Sequence, residues 1–161
     1  EDVSNTALAL ARQLARNSKA LLIGLSPVSG DAAQTPGLSD LGRGLASFGQ
    51  IINRDTRSSL HMIGAGIQPD RALLTSPRVV MALDALMQTY DHVVLDAGTA
   101  IDLPPSLIAS QAHAVILPAP GISDAAKATM RAQLLASGFV AVSILNRTTL
   151  DEAAPEEVVA A

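Results

Sequence analysis

The chain has 161 residues, a formal net charge of −4 and only 2% aromatic side chains. That length suits one domain with a proper core, but the basic surface and aromatic platforms of a nucleic-acid binder are missing. Cysteine is absent, which excludes disulfides and thiolate metal sites; no signal-peptide pattern occurs and no apolar run approaches the roughly 20 residues of a membrane span, so any membrane attachment is expected outside this stretch.

Residues 4–17 predict a helix: Ala7, Leu10, Ala11, Leu14 and Ala15 form an apolar stripe at helical spacing, and Arg12 and Arg16 fall on the other face. Ser4 or Asn5 can cap its start. Residues 20–25 (Ala-Leu-Leu-Ile-Gly-Leu) then read as a buried strand. A helix feeding an apolar strand is the second half of a βαβ unit, whose first strand is expected before Ser4. Residues 26–36 are a loop rich in Pro, Ser, Gly and Ala. From Gly37 to Ile52 the reading is a short, glycine-interrupted helix carrying Leu38, Leu41, Leu45, Phe48, Ile51 and Ile52. Residues 60–63 predict a third strand, ended by Gly64-Ala65-Gly66, which permits a tight turn or close backbone approach and is only weak evidence for phosphate binding. Ser76-Pro77 opens the clearest helix of the chain, with Val79, Val80, Leu83, Leu86 and Met87 as its core face.

That helix delivers the chain to Val93-Val94-Leu95, an unbroken apolar run that predicts a strand buried on both faces. The run stops at Asp96, followed by the small-residue turn Ala97-Gly98-Thr99. A carboxylate at the C-terminal end of a buried parallel strand lies where open α/β sheets place their ligand crevice; capping the next segment is its plainer role. After Pro104-Pro105 a helix is expected over 106–111 and a strand over 114–117. Pro118 to Gly121 breaks that strand, and Ser123-Asp124 caps a helix that Gly138 terminates. The last strand, 140–145, ends at Asn146-Arg147. Residues 148–161 show no strong period and read as a frayed helix or a disordered tail, leaving one domain over 1–147. His61, His92 and His113 stand singly at strand edges and read as structural or surface residues, because no second metal ligand lies at helical spacing. Strands alternating with helices predict an α/β fold: a doubly wound, mostly parallel sheet of the P-loop nucleotide-binding class. A fold alone does not settle function.

The succession Ala7-Leu8-Ala9-Leu10-Ala11-Arg12, Leu21-Leu22-Ile23, Gly37-Leu38-Ser39-Asp40, Leu60-His61-Met62-Ile63-Gly64-Ala65-Gly66, Ser76-Pro77-Arg78, Tyr90-Asp91-His92-Val93-Val94-Leu95-Asp96 and Ile144-Leu145-Asn146 resembles the cytoplasmic domain of bacterial polysaccharide co-polymerases. Those proteins carry the bacterial tyrosine kinase domain, related to the MinD and ParA ATPases. The resemblance spans nearly the whole chain in order, although each motif is short. It implies a cytoplasmic module at the inner face of the bacterial inner membrane. The implied partners are a membrane-spanning chain-length-determinant region, of the same polypeptide or of another protein, and further copies of the domain.

The departures bear on catalysis. In the family a glycine-rich loop with a lysine and Ser/Thr precedes the first helix, because backbone N–H groups and the ammonium neutralise phosphate charge. Here the segment reads Glu1-Asp2-Val3-Ser4-Asn5-Thr6, with Val3 near the place of the lysine and two carboxylates where phosphate would approach. Ser4 can serve as the Mg²⁺-side hydroxyl or simply as a helix cap. The family's second strand ends in Asp-x-Asp; here Gly24-Leu25-Ser26 stands there, without charge to hold a divalent ion. Asp96 matches the Walker B aspartate, and Asn146 matches a position that can read an adenine edge or form a turn. Tyr90 is the sole tyrosine, so the family's tyrosine-rich tail is absent. Phosphoryl transfer is positioning and charge neutralisation, and losing these groups together should remove most of it.

Two functions stay open. One is a catalytically silent kinase-like module, with no cofactor expected, in exopolysaccharide export or chain-length control. The other is a weak or atypical MinD-type ATPase or tyrosine kinase, in which Ser4, Asp96 and Asn146 would meet ATP and Mg²⁺. For the silent module, Leu45, Phe48, Ile51 and Ile52 form the candidate interaction surface, either packed on the domain's own sheet or docked on a neighbour.

Overall fold

The computed structural model describes residues 2–27, 30–98, 103 and 112–145. The chain clusters into two compact units, Glu1–Pro104 and Pro105–Ala161. Thr99, the helix expected over 106–111, Asn146 and the tail all lie outside the described residues.

In the first unit α1 (Asp2–Leu14) leads into β1 (Ala20–Gly24), followed by a 3-10 turn (Gly30–Gln34), α2 (Leu38–Arg43), α3 (Phe48–Ile51), β2 (Asn53–Arg54) and β3 (His61–Ile63). A second 3-10 turn (Arg71–Thr75), α4 (Pro77–Thr89) and β4 (His92–Asp96) complete it. The sheet runs β2-β3-β1-β4. β1 is parallel to both β3 and β4, and β2 is antiparallel to β3. β2 went unread in the sequence because two residues carry no period.

The centre of this sheet is β1, whose Ala20, Leu21, Leu22 and Ile23 are all buried. A continuous apolar run is what a strand covered on both faces needs. The same expectation for residues 93–95 is corrected: Val93, Val94 and Leu95 are half-buried, and among the described residues of this unit β4 is the end strand of the sheet. A three-residue apolar run reports hydrophobicity, not rank within a sheet. Helix α1 covers one face through its small-residue stripe. Ala11 and Ala15 pack with Ala20, Leu22 and Leu60, with Leu8, Leu14, Met62 and Val94 at the margin. Small side chains there let the helix backbone approach the strands closely.

Helix α4 begins as its sequence predicts. Ser76 Oγ accepts from the Val79 N–H at 3.4 Å, and Pro77 occupies the first turn, where its missing N–H costs nothing. Val79, Ala82, Leu83 and Leu86 are buried beneath it, while Val80 and Met87 are half-buried. The single helix expected from Gly37 to Ile52 is corrected to two short ones. Gly44 ends α2 in the left-handed region at φ 76°, and α3 restarts at Ser47, whose N–H donates to Gln50 Oε1 at 2.8 Å.

The described part of the second unit is β5 (His113–Ile116), α5 (Asp124–Ala136) and β6 (Ala141–Ile144), with β5 and β6 parallel and the helix connecting them. Ser123 Oγ caps α5 by accepting from the Ala126 N–H at 3.2 Å. Ile116 and Val142 are buried, whereas none of the residues of α5 is.

Candidate functional site

β1 and β4 run parallel and end together, with Gly24 directly beside Asp96 in register. The Leu25 N–H donates to the Asp96 carbonyl at 3.0 Å, so the two chains leave the sheet side by side. This is the C-terminal edge at which a parallel sheet opens a crevice. Asp96 is 8% exposed, and its Oδ1 accepts the Gly98 N–H at 3.0 Å. That bond closes a tight turn two residues long and holds the carboxylate at the strand end. A Cβ on Gly98 would stand 2.5 Å from Ser26 Oγ, which shows how closely the loop after β4 approaches the loop after β1. From the 3-10 turn, Arg71 Nη2 donates to the Ala97 carbonyl at 2.6 Å. The edge therefore carries Asp96, Ser26 and Arg71.

Arg71 was not singled out in the sequence, and no local signal marks it: it is one arginine in a short turn, and the chain crossing over the sheet brings it to Ala97. Of the residues that were singled out, Asp96 lies at this edge, Ser4 lies in the first turn of α1, and Asn146 is outside the described residues.

Among the described residues the donor set at this edge fits Mg²⁺ poorly. Magnesium is held by hard oxygen ligands, chiefly carboxylates and phosphate, in a strict octahedron. Beside Asp96 stand Gly24, with no side chain, and Ser26, with a neutral one. Among the described residues no three acidic, His or Cys side chains gather. Among the described residues the side chain brought to this loop from elsewhere is the guanidinium of Arg71, which is no ligand for a divalent cation. Space does not explain the missing carboxylate, since a Cβ on Gly24 would meet nothing within 4 Å.

A second buried carboxylate works at the neighbouring strand end. Asp40 is 5% exposed and its Oδ2 accepts two backbone N–H groups, from Gly37 and from Ile67, each at 3.0 Å. Around it Leu38 N–H donates to the Gly64 carbonyl and Ser39 N–H to the Ala65 carbonyl, both at 3.0 Å, and Asp70 N–H reaches Ser39 Oγ at 2.9 Å. The start of α2 is thus laced to the loop leaving β3. Two glycines make this possible. A Cβ on Gly37 would collide with the Gly64 carbonyl oxygen, and Gly66 sits at φ 109° with room for no side chain against Asp40. The close approach expected at Gly64-Ala65-Gly66 serves this helix docking.

The candidate interaction surface divides. Leu45 is 75% and Phe48 39% exposed, and Ile52 is half-buried. Ile51 is corrected: at 0% exposure it belongs to the core and offers no side chain to a partner. It points inward because α3 is a single turn whose one apolar face packs on the unit. Tyr90, the sole tyrosine, has its hydroxyl 2.5 Å from His61 Nδ1, with the rings edge to face at 5.6 Å between centroids. Burial raises the pKa of that hydroxyl, against the opposing pull of Arg54.

No family model matches the sequence, and no curated protein does. Solved structures do. The fold is similar to that of the VpsO kinase domain, with a TM-score of 0.71 at 21% identity over 89% of this chain and 78% of that one. It is also similar to the BceF tyrosine kinase domain, with a TM-score of 0.66 at 23% identity over 88% of this chain and 62% of that one. MinD, in its complex with MinC from Aquifex aeolicus, aligns at a TM-score of 0.59 and 15% identity over 93% of this chain and 65% of that one. The chain thus has the α/β fold of tyrosine kinase domains and MinD ATPases, and it spans under two thirds of the length of two of these three structures. No helix among the described residues is long and apolar enough to cross a membrane.

Proposed function

We propose, from a fold shared with tyrosine kinase domains, that this chain is a kinase-like module that has given up phosphoryl transfer. It acts in assembly or regulation within an exopolysaccharide export or chain-length-control protein, at the cytoplasmic face of a bacterial inner membrane. Its partners are the membrane-spanning chain-length-determinant region, in the same polypeptide or in another, and further copies of itself.

The observation that supports silence is the pairing of Gly24 with Asp96. Phosphoryl transfer depends on cations placed against developing negative charge, with carboxylates to hold the metal. At this edge Asp96 has a glycine beside it where the resemblance calls for a second carboxylate, and a serine two residues on. Its own Oδ1 is engaged by the Gly98 N–H. The resemblance puts Val3 near the place of the family's lysine, and at this edge a metal would meet one carboxylate, that of Asp96. The residues that remain hold a loop together: Asp96 shapes the turn, and Arg71 ties Ala97 to the 3-10 turn.

A second reading, a weak MinD-type ATPase or tyrosine kinase, draws on the retention of a buried Asp96 at a parallel strand end. Isothermal titration with Mg²⁺-ATP and Mg²⁺-ADP separates the two. No binding is expected at sub-millimolar nucleotide; a micromolar dissociation constant overturns the silent module in favour of the ATPase.

A further inference from the structure

We propose that the N-terminal edge of the β2-β3-β1-β4 sheet is a docking surface for an anionic lipid bilayer, contacted through Arg16, Lys19, Arg54 and Arg57. This edge lies opposite the one that carries Asp96. β1, β3 and β4 start here and antiparallel β2 ends here, with Ala20 opposite His92, and Leu21 and Arg54 on either side of His61. Three turns form the rim and are tied to one another. Arg12, near the end of α1, holds Asp55 in a two-pronged ion pair at 2.9 and 2.8 Å, and Ser59 Oγ donates to the Ala15 carbonyl at 2.7 Å. The Lys19 N–H donates to Asp91 Oδ2 at 2.8 Å, while the Lys19 carbonyl accepts the Asp91 and His92 N–H groups at 2.9 and 3.1 Å. Residues 12–19, 54–59 and 90–92 therefore lie side by side.

Charge selects the occupant. The rim holds five of the chain's 11 Lys and Arg residues but two of its 15 carboxylates, so the net charge of −4 hides a basic edge. Asp55 is taken up by Arg12, and Asp91 accepts the Lys19 N–H. Arg16, Lys19, Arg54 and Arg57 are exposed, and among the described residues none of them makes an ion pair. The other edge has the reverse balance: the segments leaving β1 and β3 and the end of β4 hold Asp31, Asp40, Asp70 and Asp96 with Arg43 and Arg71. The main cavities among the described residues are lined by none of the four rim cations, so the rim offers no pocket for a small anion. Its one aromatic ring, Tyr90, is packed edge to face on His61, which leaves no platform on which bases could stack. Exposed cations on a rim without a pocket suit a broad anionic surface. The reading above, on which this inference rests, sets a bilayer with acidic headgroups beside the chain. Each Lys or Arg near an anionic leaflet strengthens binding about fivefold, and the attraction fades within about 10 Å at 0.1 M salt. Four together give roughly 500-fold, weak for a free domain but effective for one already held at a membrane. Docked this way, the Asp96 edge of this unit faces away from the bilayer.

The test is co-sedimentation of the whole chain with sucrose-loaded vesicles, of phosphatidylglycerol mixed with phosphatidylcholine or of phosphatidylcholine alone, at low and at high salt. Wild type is expected to bind the anionic vesicles at up to roughly millimolar lipid, to ignore the neutral ones and to be released by salt. Arg16→Ala/Arg57→Ala should weaken that binding about 25-fold. Arg78→Ala/Arg131→Ala removes the same charge from exposed positions away from the rim and should weaken it by less than about threefold. Among the described residues none of these four side chains makes an ion pair, so both variants should keep the fold, which thermal melts check. The lipid and salt comparison on wild type decides the matter whatever the variants do. No binding to anionic vesicles, equal binding to neutral ones, or equal weakening by the two double variants would each overturn the proposal. So would a chain that binds a short DNA duplex or an acidic polysaccharide and leaves the vesicles alone. The silent-module reading survives any of these outcomes, because a membrane-spanning partner can hold the domain without this contact. Conversely, micromolar nucleotide binding would overturn that reading and leave the contact standing.

Discussion

Asp40 and Asp96 are the same residue type, nearly equally buried, at the same edge of one sheet, and they are used differently. Asp40 takes backbone N–H groups from Gly37 and Ile67, on either side of the junction between α2 and the loop after β3. Asp96 takes one, from Gly98, two residues along its own chain. The first fastens two distant pieces of chain; the second shapes a local turn. What a buried carboxylate contributes is set by how many donors converge on it and how far apart in sequence they lie. The position that resembles a catalytic aspartate is thus the less committed of the two.

The most severe way to probe the Asp40 clasp leaves the carboxylate alone. Gly37→Ala sets a methyl group against the Gly64 carbonyl and the Gly66 backbone, neither of which can move aside cheaply. A loss of at least about 3 kcal/mol in urea unfolding is expected, in the range reserved for strained or overpacked sites. A small loss would show that the start of α2 is not held against this loop. Asp40→Asn keeps the shape and removes the charge; with two charge-assisted bonds weakened, about 2–3 kcal/mol should go. Asp96→Asn weakens one local bond and should cost about 1 kcal/mol. If the order of these two aspartates is reversed in matched denaturation curves, the comparison fails.

The smallest effect concerns a third carboxylate, which extends the comparison to the other end of the sheet. Asp55 accepts from Arg12 Nε at 2.9 Å and Arg12 Nη2 at 2.8 Å, and Ser58 Oγ donates to it at 2.6 Å. The Arg12 hydrogen bonds, then that of Ser58, hold its pKa well below the usual carboxylate value. A carboxyl group whose pKa is depressed on folding stabilises the fold fully above its unfolded pKa, near 4, and loses that contribution as pH falls below it. Asp55→Asn should therefore lower the melting temperature by a few degrees at pH 7 and by progressively less as the buffer is taken below about pH 4. A difference between wild type and variant that stays constant through that range would show that the pair contributes nothing through charge.

Much of the fold was legible before any coordinates, because local chemistry repeats. The alanine and leucine stripe of α1, the Ser-Pro start of α4 and the Ser-Asp start of α5 each announce a helix through its own period and cap. β1, β3, β5 and β6 follow from short apolar runs with breakers on either side. The Gly64-Ala65-Gly66 turn announced a close backbone approach without saying to what. Phe48 and Ile51 looked alike in sequence and part company in space, because a single helical turn has too few residues for its buried face to show as a period. The site was half legible: Asp96 stood out at the end of its run, and Gly24 and Ser26 stood out by what they replace.

By itself the sequence determined the order of β1, β3, β4, β5 and β6 and of α1, α4 and α5, the small residues where chains must come close, and the missing charges at the strand ends. Only the tertiary structure decided that β1 rather than β4 is the centre of its sheet, that Arg12 meets Asp55 across 43 residues, and that Arg71 reaches Ala97 across 26. The reason is physical. Periodicity and capping are interactions within one or two turns of chain and are written locally, whereas a strand's rank and a charge's partner depend on which distant segments the packed core brings side by side.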